Sequence, residues 1–171
     1  MILSRSRNHS PLKNSDPSTP QRAYQYALRL LTARDYTEAR LREKLCGREF
    51  AEQDVLSALE RMCSEGWVDD QRFAERFVES ALASGRYYGS RLRQEMRRRG
   101  LSPELVSEVL GRVMEERDEC QDLQAVFERR FSGFCFATSS DKEKRRALGF
   151  LQRRGFGFSA IMQILRAANT D

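Results

Sequence analysis

Arginine is the residue type in this sequence whose spacing suggests chemistry. Six arginines lie between residues 86 and 99 against one acid, Glu95, so this segment alone carries a net charge of +5. A guanidinium stays charged and presents a planar fork of donors that fits phosphates and carboxylates. Most of these arginines have no acid four residues away, and like charges at helical spacing repel one another. The pattern therefore favours a surface for an acidic partner over a face that only aids solubility.

The spacing of these arginines divides them between two faces of a predicted helix. If the apolar residues between them point inward, Arg91 and Arg98 share one face, and Arg93 and Arg97 share another. A Tyr-Tyr-Gly sequence directly precedes them, and such aromatic and basic mixtures suit the binding of phosphates and carboxylates. The candidate contact residues are Arg86, Tyr88, Arg91, Arg93, Arg97, Arg98 and Arg99, with Arg153 and Arg154 in support.

A second basic zone and an acidic zone follow along the chain. Residues 141–154 hold six basic residues against two acids, and residues 104–128 hold eight acids against two arginines. An acidic partner could contact the basic zones, and a protein of mixed charge could contact both kinds.

Motifs for catalysis or metal binding are missing from the sequence. The single histidine is His9, and Cys46, Cys63, Cys120 and Cys135 form no CxxC pair. Zinc sites need clustered Cys and His ligands. The sequence GRYYGSR lacks the spacing of a phosphate-binding loop. We therefore predict a protein that is not an enzyme and that has no metal and no cofactor.

Two aromatic features imitate functional motifs and are interpreted as packing. RGFGFSAI matches the first five positions of an RNA-recognition signature, which works only on a strand. Here the match falls on a predicted turn between helices, so Phe156 and Phe158 are expected in the core or packed against the turn. Trp67 could be a partner hot spot, but an aromatic just before a helix more often packs as a hydrophobic staple.

The chain repeats itself at a fixed period, which indicates the elements that hold the arginines. Residues 39–62 and 90–113 match at an offset of 51 residues, and residues 143–166 form a fainter third copy. Such a period is typical of one small structural unit used several times, and arrays of this kind present long continuous surfaces. The matched apolar positions are Leu41, Leu92 and Ala147; Leu45, Met96 and Leu151; Val55, Val106 and Ile161; Leu59, Leu110 and Leu165.

Each repeat is predicted to be a unit of three helices. Apolar residues recur at helical spacing and do not alternate with period two, so we predict an all-α fold without strands. Thr37, Ser102 and Ser140 are predicted N-caps, and Gly100 is a predicted helix stop. The predicted divisions are a disordered tail over residues 1–21 and three-helix units over 22–68, 69–117 and 118–171.

The location of the protein follows only from what the sequence lacks. No apolar run approaches the length needed to span a membrane, and the first residues do not form a secretory signal. We therefore expect a cytoplasmic protein that does not associate with membranes.

The stretch from Gly66 to Val106 resembles the central hallmark of the RecX family, regulators of the bacterial recombinase RecA. The family pattern is an aromatic-aliphatic-Asp-Asp, an Arg-Phe-Ala helix, a Tyr-Gly turn and an Arg-rich short helix that ends in glycine. The first and last units also match, so the resemblance covers about residues 22–168. Trp67 replaces the commoner tyrosine and keeps the aromatic character. The matching positions are Trp67, Val68, Asp69, Asp70, Arg72, Phe73, Ala74, Tyr88, Gly89, Arg91, Arg93 and Gly100.

The resemblance implies an elongated, curved array of three tandem three-helix repeats. It also implies binding to the RecA–DNA filament and suppression of ATP hydrolysis, strand exchange and co-protease action, without a catalytic centre. We expect a monomer whose basic helices could also contact single- or double-stranded DNA weakly. The alternative is a direct DNA-binding module of helix-turn-helix type, against which stand the neutral to acidic third helices of the units.

Overall fold

Helices alone form the part of the chain that this computed structural model describes, residues 20–168, and that part contains no strand. The predicted all-α fold is confirmed. The predicted tail lies outside the described residues, except that Pro20 and Gln21 begin the first helix. The helices are α1 (Pro20–Leu31), α2 (Glu38–Cys46), α3 (Glu52–Ser64), α4 (Asp70–Ala83), α5 (Gly89–Arg98), α6 (Pro103–Glu115), α7 (Glu119–Arg130), α8 (Asp141–Arg154) and α9 (Phe158–Ala167).

The predicted caps determine where several helices begin. The side chains of Thr37, Ser102 and Ser140 each accept a hydrogen bond from the backbone N–H three residues on. At Ser140 the Glu143 carboxylate in turn accepts a hydrogen bond from the backbone N–H of Ser140, which completes a capping box. Each cap satisfies a donor that would otherwise lack a partner at the first turn. Local side-chain chemistry therefore sets these boundaries.

The repeated apolar positions point inward in all three units. None of the twelve matched residues is more than 3% exposed. Because they recur at the same places in each unit, the three units share one packing scheme. The period read from the sequence thus identifies the inward faces, as predicted.

The three units do not share their cores equally. The first unit encloses its own core of ten buried residues between α1, α2 and α3. The second and third units enclose one continuous core, in which the rings of Tyr88 and Phe156 stack with centroids 4.6 Å apart. Burial of apolar surface is the main favourable term in folding. The second and third units therefore depend on each other for stability more than either depends on the first.

In the first and second units, the middle helix contacts the middle helix of the following unit end to end. At the N-terminus of α2, the Thr37 hydroxyl donates to the carbonyl oxygen of Arg99 at 2.5 Å. At the N-terminus of α5, the backbone N–H of Tyr88 donates to the carbonyl oxygen of Arg154 at 2.7 Å. Helix N-termini have spare donors and C-termini have spare acceptors, so the two ends are complementary. This arrangement brings the basic zones of α5 and α8 next to each other.

Glycine is required at both of these joints. Gly100 and Gly155 follow α5 and α8 with φ of +86° and +105°, a region that glycine enters at little cost. A Cβ at Gly100 would lie 2.5 Å from the Cβ of Ala39, and one at Gly155 would overlap the carbonyl oxygen of Tyr88. Each glycine therefore ends a helix and also lets the preceding unit approach closely.

Two of the aromatic interpretations are wrong. Val68, not Trp67, is buried before Asp69, while more than half of the Trp67 side chain is exposed and its Nε1 donates to Glu65 at 3.0 Å. Phe156 is buried in the shared core as expected, but Phe158 projects into solvent. Both exposed rings precede or begin a helix, where the backbone direction determines which neighbour faces the core.

Candidate functional site

The arginines of α5 and their neighbours at the end of α8 form the candidate site, here called the arginine surface. In α5 the apolar residues Leu92 and Met96 are fully buried, which turns the arginines outward or toward the helix ends. Ser90 and Arg91 of α5 line a shallow groove together with Arg153 at the end of α8. The members of the arginine surface are Arg86, Arg91, Arg93, Arg97, Arg98, Arg99, Arg153 and Arg154.

Glu95 lies at the centre of the arginine surface and was not predicted to have a role. Its side chain is only 2% exposed, yet its carboxylate reaches three guanidinium groups. Oε1 lies 2.9 Å from Nη2 of Arg91, while Oε2 lies 3.0 Å from Nη2 of Arg98 and 2.8 Å from Nη1 of Arg99. These four side chains are here called the Glu95 cluster.

The Glu95 cluster corrects the expectation that most of these arginines lack an acidic neighbour. Burial by itself would raise the pKa of Glu95, but hydrogen bonds and charge from Arg99, Arg98 and Arg91 together hold that pKa below its ordinary value. The carboxylate is therefore ionised at neutral pH. Its negative charge offsets part of the repulsion among these three arginines. Its hydrogen bonds to them are charge-assisted, so they are stronger than bonds between neutral groups.

Arg93 and Arg97 lie outside the Glu95 cluster and are exposed. Nη1 of Arg93 donates to the Ser107 hydroxyl of α6 at 3.0 Å, a neutral acceptor that leaves its charge uncompensated. Within residues 20–168 neither arginine has an acidic oxygen within 4 Å, whereas each arginine of the Glu95 cluster has one. These two side chains are the exposed arginines of α5 that no carboxylate restrains.

Tyr88 is not available as a surface contact, so its place among the candidate contacts is corrected. Its ring is buried against Phe156, and burial, followed by the nearby acids Asp122 and Glu119, raises the pKa of Tyr88 to about 12. The ring therefore stays neutral and packs the joint between the second and third units. The partner ring, Phe156, comes from another unit, so the sequence around Tyr88 gave no sign of burial.

Arg154 also has a structural position, while Arg153 does not. The Arg154 guanidinium donates to the carbonyl oxygen of Gly85 and lies 4.3 Å from the ring centroid of Phe150. Burial, and then the charges of Arg129 and Arg86, lower the pKa of Arg154. Arg153 is exposed at the rim of the shallow groove. Only Arg153 of this pair is placed to contact a partner.

Metal-binding groups and membrane-spanning helices are both missing from the part of the chain that the structure describes. Between residues 20 and 168, no three side chains of the types His, Cys, Asp and Glu come close enough together to hold a metal ion. Over the same residues, no helix has the length and apolar character to cross a membrane.

Fold and site together define the class of this protein: an array of three small helical units that presents a cationic surface. The models of the first, second and third three-helix domains of RecX match residues 23–62, 69–110 and 117–165, in the order of the chain. The chain belongs to the RecX family.

Curated relatives agree with this assignment over most of the chain. A regulatory protein RecX of Trichlorobacter lovleyi is 44% identical over 145 residues, which cover 85% of this chain and 94% of that protein. A regulatory protein RecX of Syntrophotalea carbinolica is 36% identical over 141 residues, which cover 82% and 92% of the two chains.

Solved structures support the fold. The crystal structure of RecX from Lactobacillus salivarius superposes with a TM-score of 0.68 at 14% identity, over 87% of this chain and 96% of that one. A second structure, of a regulatory protein RecX, superposes with a TM-score of 0.63 at 20% identity and covers 85% and 70% of the two chains. The arrangement of three helical units is therefore common to proteins whose sequences differ widely.

Proposed function

We propose that this chain is a non-enzymatic regulator that binds the RecA–DNA filament and inhibits ATP hydrolysis, strand exchange and co-protease action by RecA. Membership of a family of regulatory proteins supports the regulatory role. The observation that carries the proposal is the arginine surface, where exposed cations from two successive units adjoin. Its natural partner is a long polyanionic or acidic assembly.

The arrangement of the arginine surface suits a filament better than a single small ligand. Exposed charge pairs contribute about 0–1 kcal/mol each, so one arginine alone binds weakly. Contacts made together on a rigid array act as linked sites and raise the overall affinity. A surface that crosses a joint between units can contact more than one point of a repeating filament.

Direct and specific binding to duplex DNA is the second candidate, favoured by the same exposed arginines. A helix-turn-helix reader places the helix after the turn in the major groove. Here that helix would be α3, α6 or α9. The first turns of α3 and α6 carry the acids Glu52, Asp54 and Glu104, whereas the first turn of α9 has neither an acid nor a basic residue. These acids would repel the phosphates beside the groove. Contact with DNA through the backbone within a filament therefore agrees better with the charge distribution.

The double variant Arg93→Ala/Arg97→Ala tests this proposal. It removes two exposed charges that make no ion pair, so the fold should remain while inhibition of RecA weakens by about tenfold, the effect of losing about 1.4 kcal/mol of binding. The measurement is the amount of protein that halves DNA-dependent ATP hydrolysis by RecA, with helicity followed by circular dichroism.

A matched control removes the same charge elsewhere. Arg29 and Arg166 are exposed at the ends of α1 and α9. Arg29→Ala/Arg166→Ala should inhibit RecA as the unmodified protein does. Equal inhibition by both double variants would contradict the role of the arginine surface.

A further inference from the structure

The five arginines from Arg91 to Arg99 fall into two groups that the sequence does not distinguish. Arg91, Arg98 and Arg99 are ion-paired to one carboxylate, while Arg93 and Arg97 have no acidic partner among the described residues. Judged by charge alone, all five would be equally suited to contact a partner. The side-chain contacts separate them into three that are ion-paired to Glu95, here called the paired group, and two that have no acidic partner among the described residues, here called the outward pair.

The paired group is held by groups that are fixed in position. Glu95 is almost fully buried between the fully buried Leu92 and Met96, so its carboxylate cannot move far. Nη1 of Arg99 donates to both the backbone carbonyl oxygen of Glu95 at 2.7 Å and the carboxylate at 2.8 Å. The Arg99 guanidinium also lies 4.1 Å from the ring centroid of Phe77. The Arg99 guanidinium is thus held against the second unit by these three contacts.

The other two arginines paired to Glu95, Arg91 and Arg98, are more exposed than Arg99. Arg91 is paired to Oε1 of Glu95 and also donates to Gln94 at 2.9 Å. Arg98 is the most exposed of the three, with 67% of its side chain accessible against 27% for Arg99. The carboxylate therefore restrains Arg98 mainly by charge, and Arg98 would be the first to be released if that charge were lost.

We infer that Glu95 is a positioning residue that restrains Arg91, Arg98 and Arg99 and so makes Arg93 and Arg97 the preferred partner contacts of α5. This inference rests on the proposed function, because it concerns the same surface. With Glu95 ionised, three guanidinium groups are occupied and two project as a pair one helical turn apart. The carboxylate offsets one of the three positive charges and restrains the position of all three guanidinium groups. Without it, all five arginines could turn toward any polyanion. Glu95 therefore makes the surface selective for a partner whose acidic groups match the outward pair and weakens its attraction to DNA in general.

Two variants with the same net charge test the role of Glu95. Glu95→Gln removes the charge at the centre of the cluster but keeps the size of the side chain. Glu79→Gln removes one charge from an exposed position on α4 that forms no ion pair among the described residues. The measurement is the affinity for a short naked DNA duplex as a function of salt, because each phosphate contact adds about −0.9 to the slope of log K against log salt concentration.

The two variants should differ clearly in this measurement. Glu95→Gln should make the slope more negative by about 0.9 for each released arginine that reaches a phosphate, and should bind duplex DNA more tightly. Glu79→Gln should keep the slope of the unmodified protein. Equal slopes for the two variants would overturn the inference.

A comparison of neighbouring arginines keeps the inference testable if Glu95→Gln does not fold. Arg97→Ala should weaken binding to the RecA–DNA filament several-fold and leave the melting temperature unchanged. Arg99→Ala should lower the melting temperature by several degrees and leave filament binding unchanged. Loss of filament binding in Arg99→Ala at an unchanged melting temperature would contradict the division into two groups.

The two proposals fail in different ways. If the unmodified protein does not bind RecA filaments, the proposed function fails, but the salt slopes of Glu95→Gln and Glu79→Gln still test the restraint by Glu95. If filaments are bound and the two slopes are equal, only the role of Glu95 fails.

Discussion

At the scale of single residues, the ionisation of Glu95 links the stability of the second unit to pH. The pKa of Glu95 lies below its ordinary value of 4.5 in the folded protein because three arginines outweigh the effect of burial. A group with a lowered folded pKa stabilises the fold above its unfolded pKa and loses that contribution as the pH falls through the folded pKa. The Glu95 cluster therefore stabilises the protein fully at neutral pH and progressively less below about pH 4.5.

This linkage predicts how Glu95→Gln changes stability. At pH 7 the free energy of unfolding should fall by about 1.5–3 kcal/mol, the range for hydrogen bonds to charged groups. The difference from the unmodified protein should shrink as the pH is lowered from 5 toward 3, measured by urea unfolding at each pH. A difference that stays constant over that pH range, or an equal loss in Glu79→Gln, would contradict the account.

Some of this residue-level arrangement could have been predicted from the sequence. Glu95 lies four residues after Arg91 and four before Arg99, so helical spacing alone places it within reach of both. It also lies three residues after Leu92 and so near the inward face. The burial of Tyr88 could not have been predicted in this way, because the ring that covers it comes from the next unit.

At the scale of the elements, the joints between middle helices depend on glycine for geometric reasons. Gly155→Ala would place an L residue in the left-handed region and push its Cβ against the carbonyl oxygen of Tyr88. Tyr88 is also the residue whose backbone N–H donates to the carbonyl oxygen of Arg154 at this joint. We expect a loss of at least about 1–2 kcal/mol in the free energy of unfolding, the ordinary cost of an L residue in that region. Urea unfolding followed by circular dichroism measures it.

A second glycine provides the control for this prediction. Gly111 lies inside α6 with no neighbouring atom near the site of an added Cβ. Gly111→Ala should stabilise the protein by about 0.5–1 kcal/mol, since alanine is the better helix former. If the two substitutions changed stability in the same direction, the geometric requirement at Gly155 would be disproved.

The helices could be predicted from the sequence because their caps depend on neighbouring residues. The contacts between units could not, because they join residues far apart in the sequence. The caps at Thr37, Ser102 and Ser140 use neighbours within three residues, so the sequence shows them directly. The bond from Thr37 to Arg99 spans 62 residues. Trp67 shows the limit within a single turn: the sequence placed an aromatic beside a helix start, but the backbone directed Val68 into the core instead.

At the scale of the whole molecule, the unequal sharing of cores determines how the units unfold. The buried core of the first unit is separate from that of the second, and polar contacts such as the 2.9 Å bond from the Glu38 N–H to Asp70 and the ion pair of Asp35 with Arg76 link the two units. The second and third units share one apolar core. Apolar burial couples neighbours more strongly than exposed polar contacts, so the second and third units should unfold together.

Hydrogen exchange can test this coupling with two equivalent substitutions. Leu41→Ala and Leu92→Ala alter the same repeat position in the first and second units, and each should cost about 2–5 kcal/mol locally. Leu41→Ala should reduce amide protection mainly in α1 to α3, whereas Leu92→Ala should reduce it from α4 to α9. A uniform loss of protection across residues 20–168 in both variants would contradict separate cores.

The number of units was predictable from the sequence, but their partition into cores was not. Three copies of one pattern predict three equivalent units, because the matched positions are all inward. The difference arises at positions that the pattern treats as equal: Thr37 makes a polar joint where its counterpart, Tyr88, makes an aromatic one with Phe156.

DNA-dependent ATP hydrolysis by RecA, measured with increasing amounts of this protein, tests the central claim most directly. A regulator that occupies the filament through its arginine surface should reduce the rate progressively, with strong inhibition by the point at which protein and filament are present in stoichiometric amounts. The effect should weaken as salt rises, because exposed charges are screened. An unchanged rate of ATP hydrolysis at stoichiometric amounts and low salt would contradict the account.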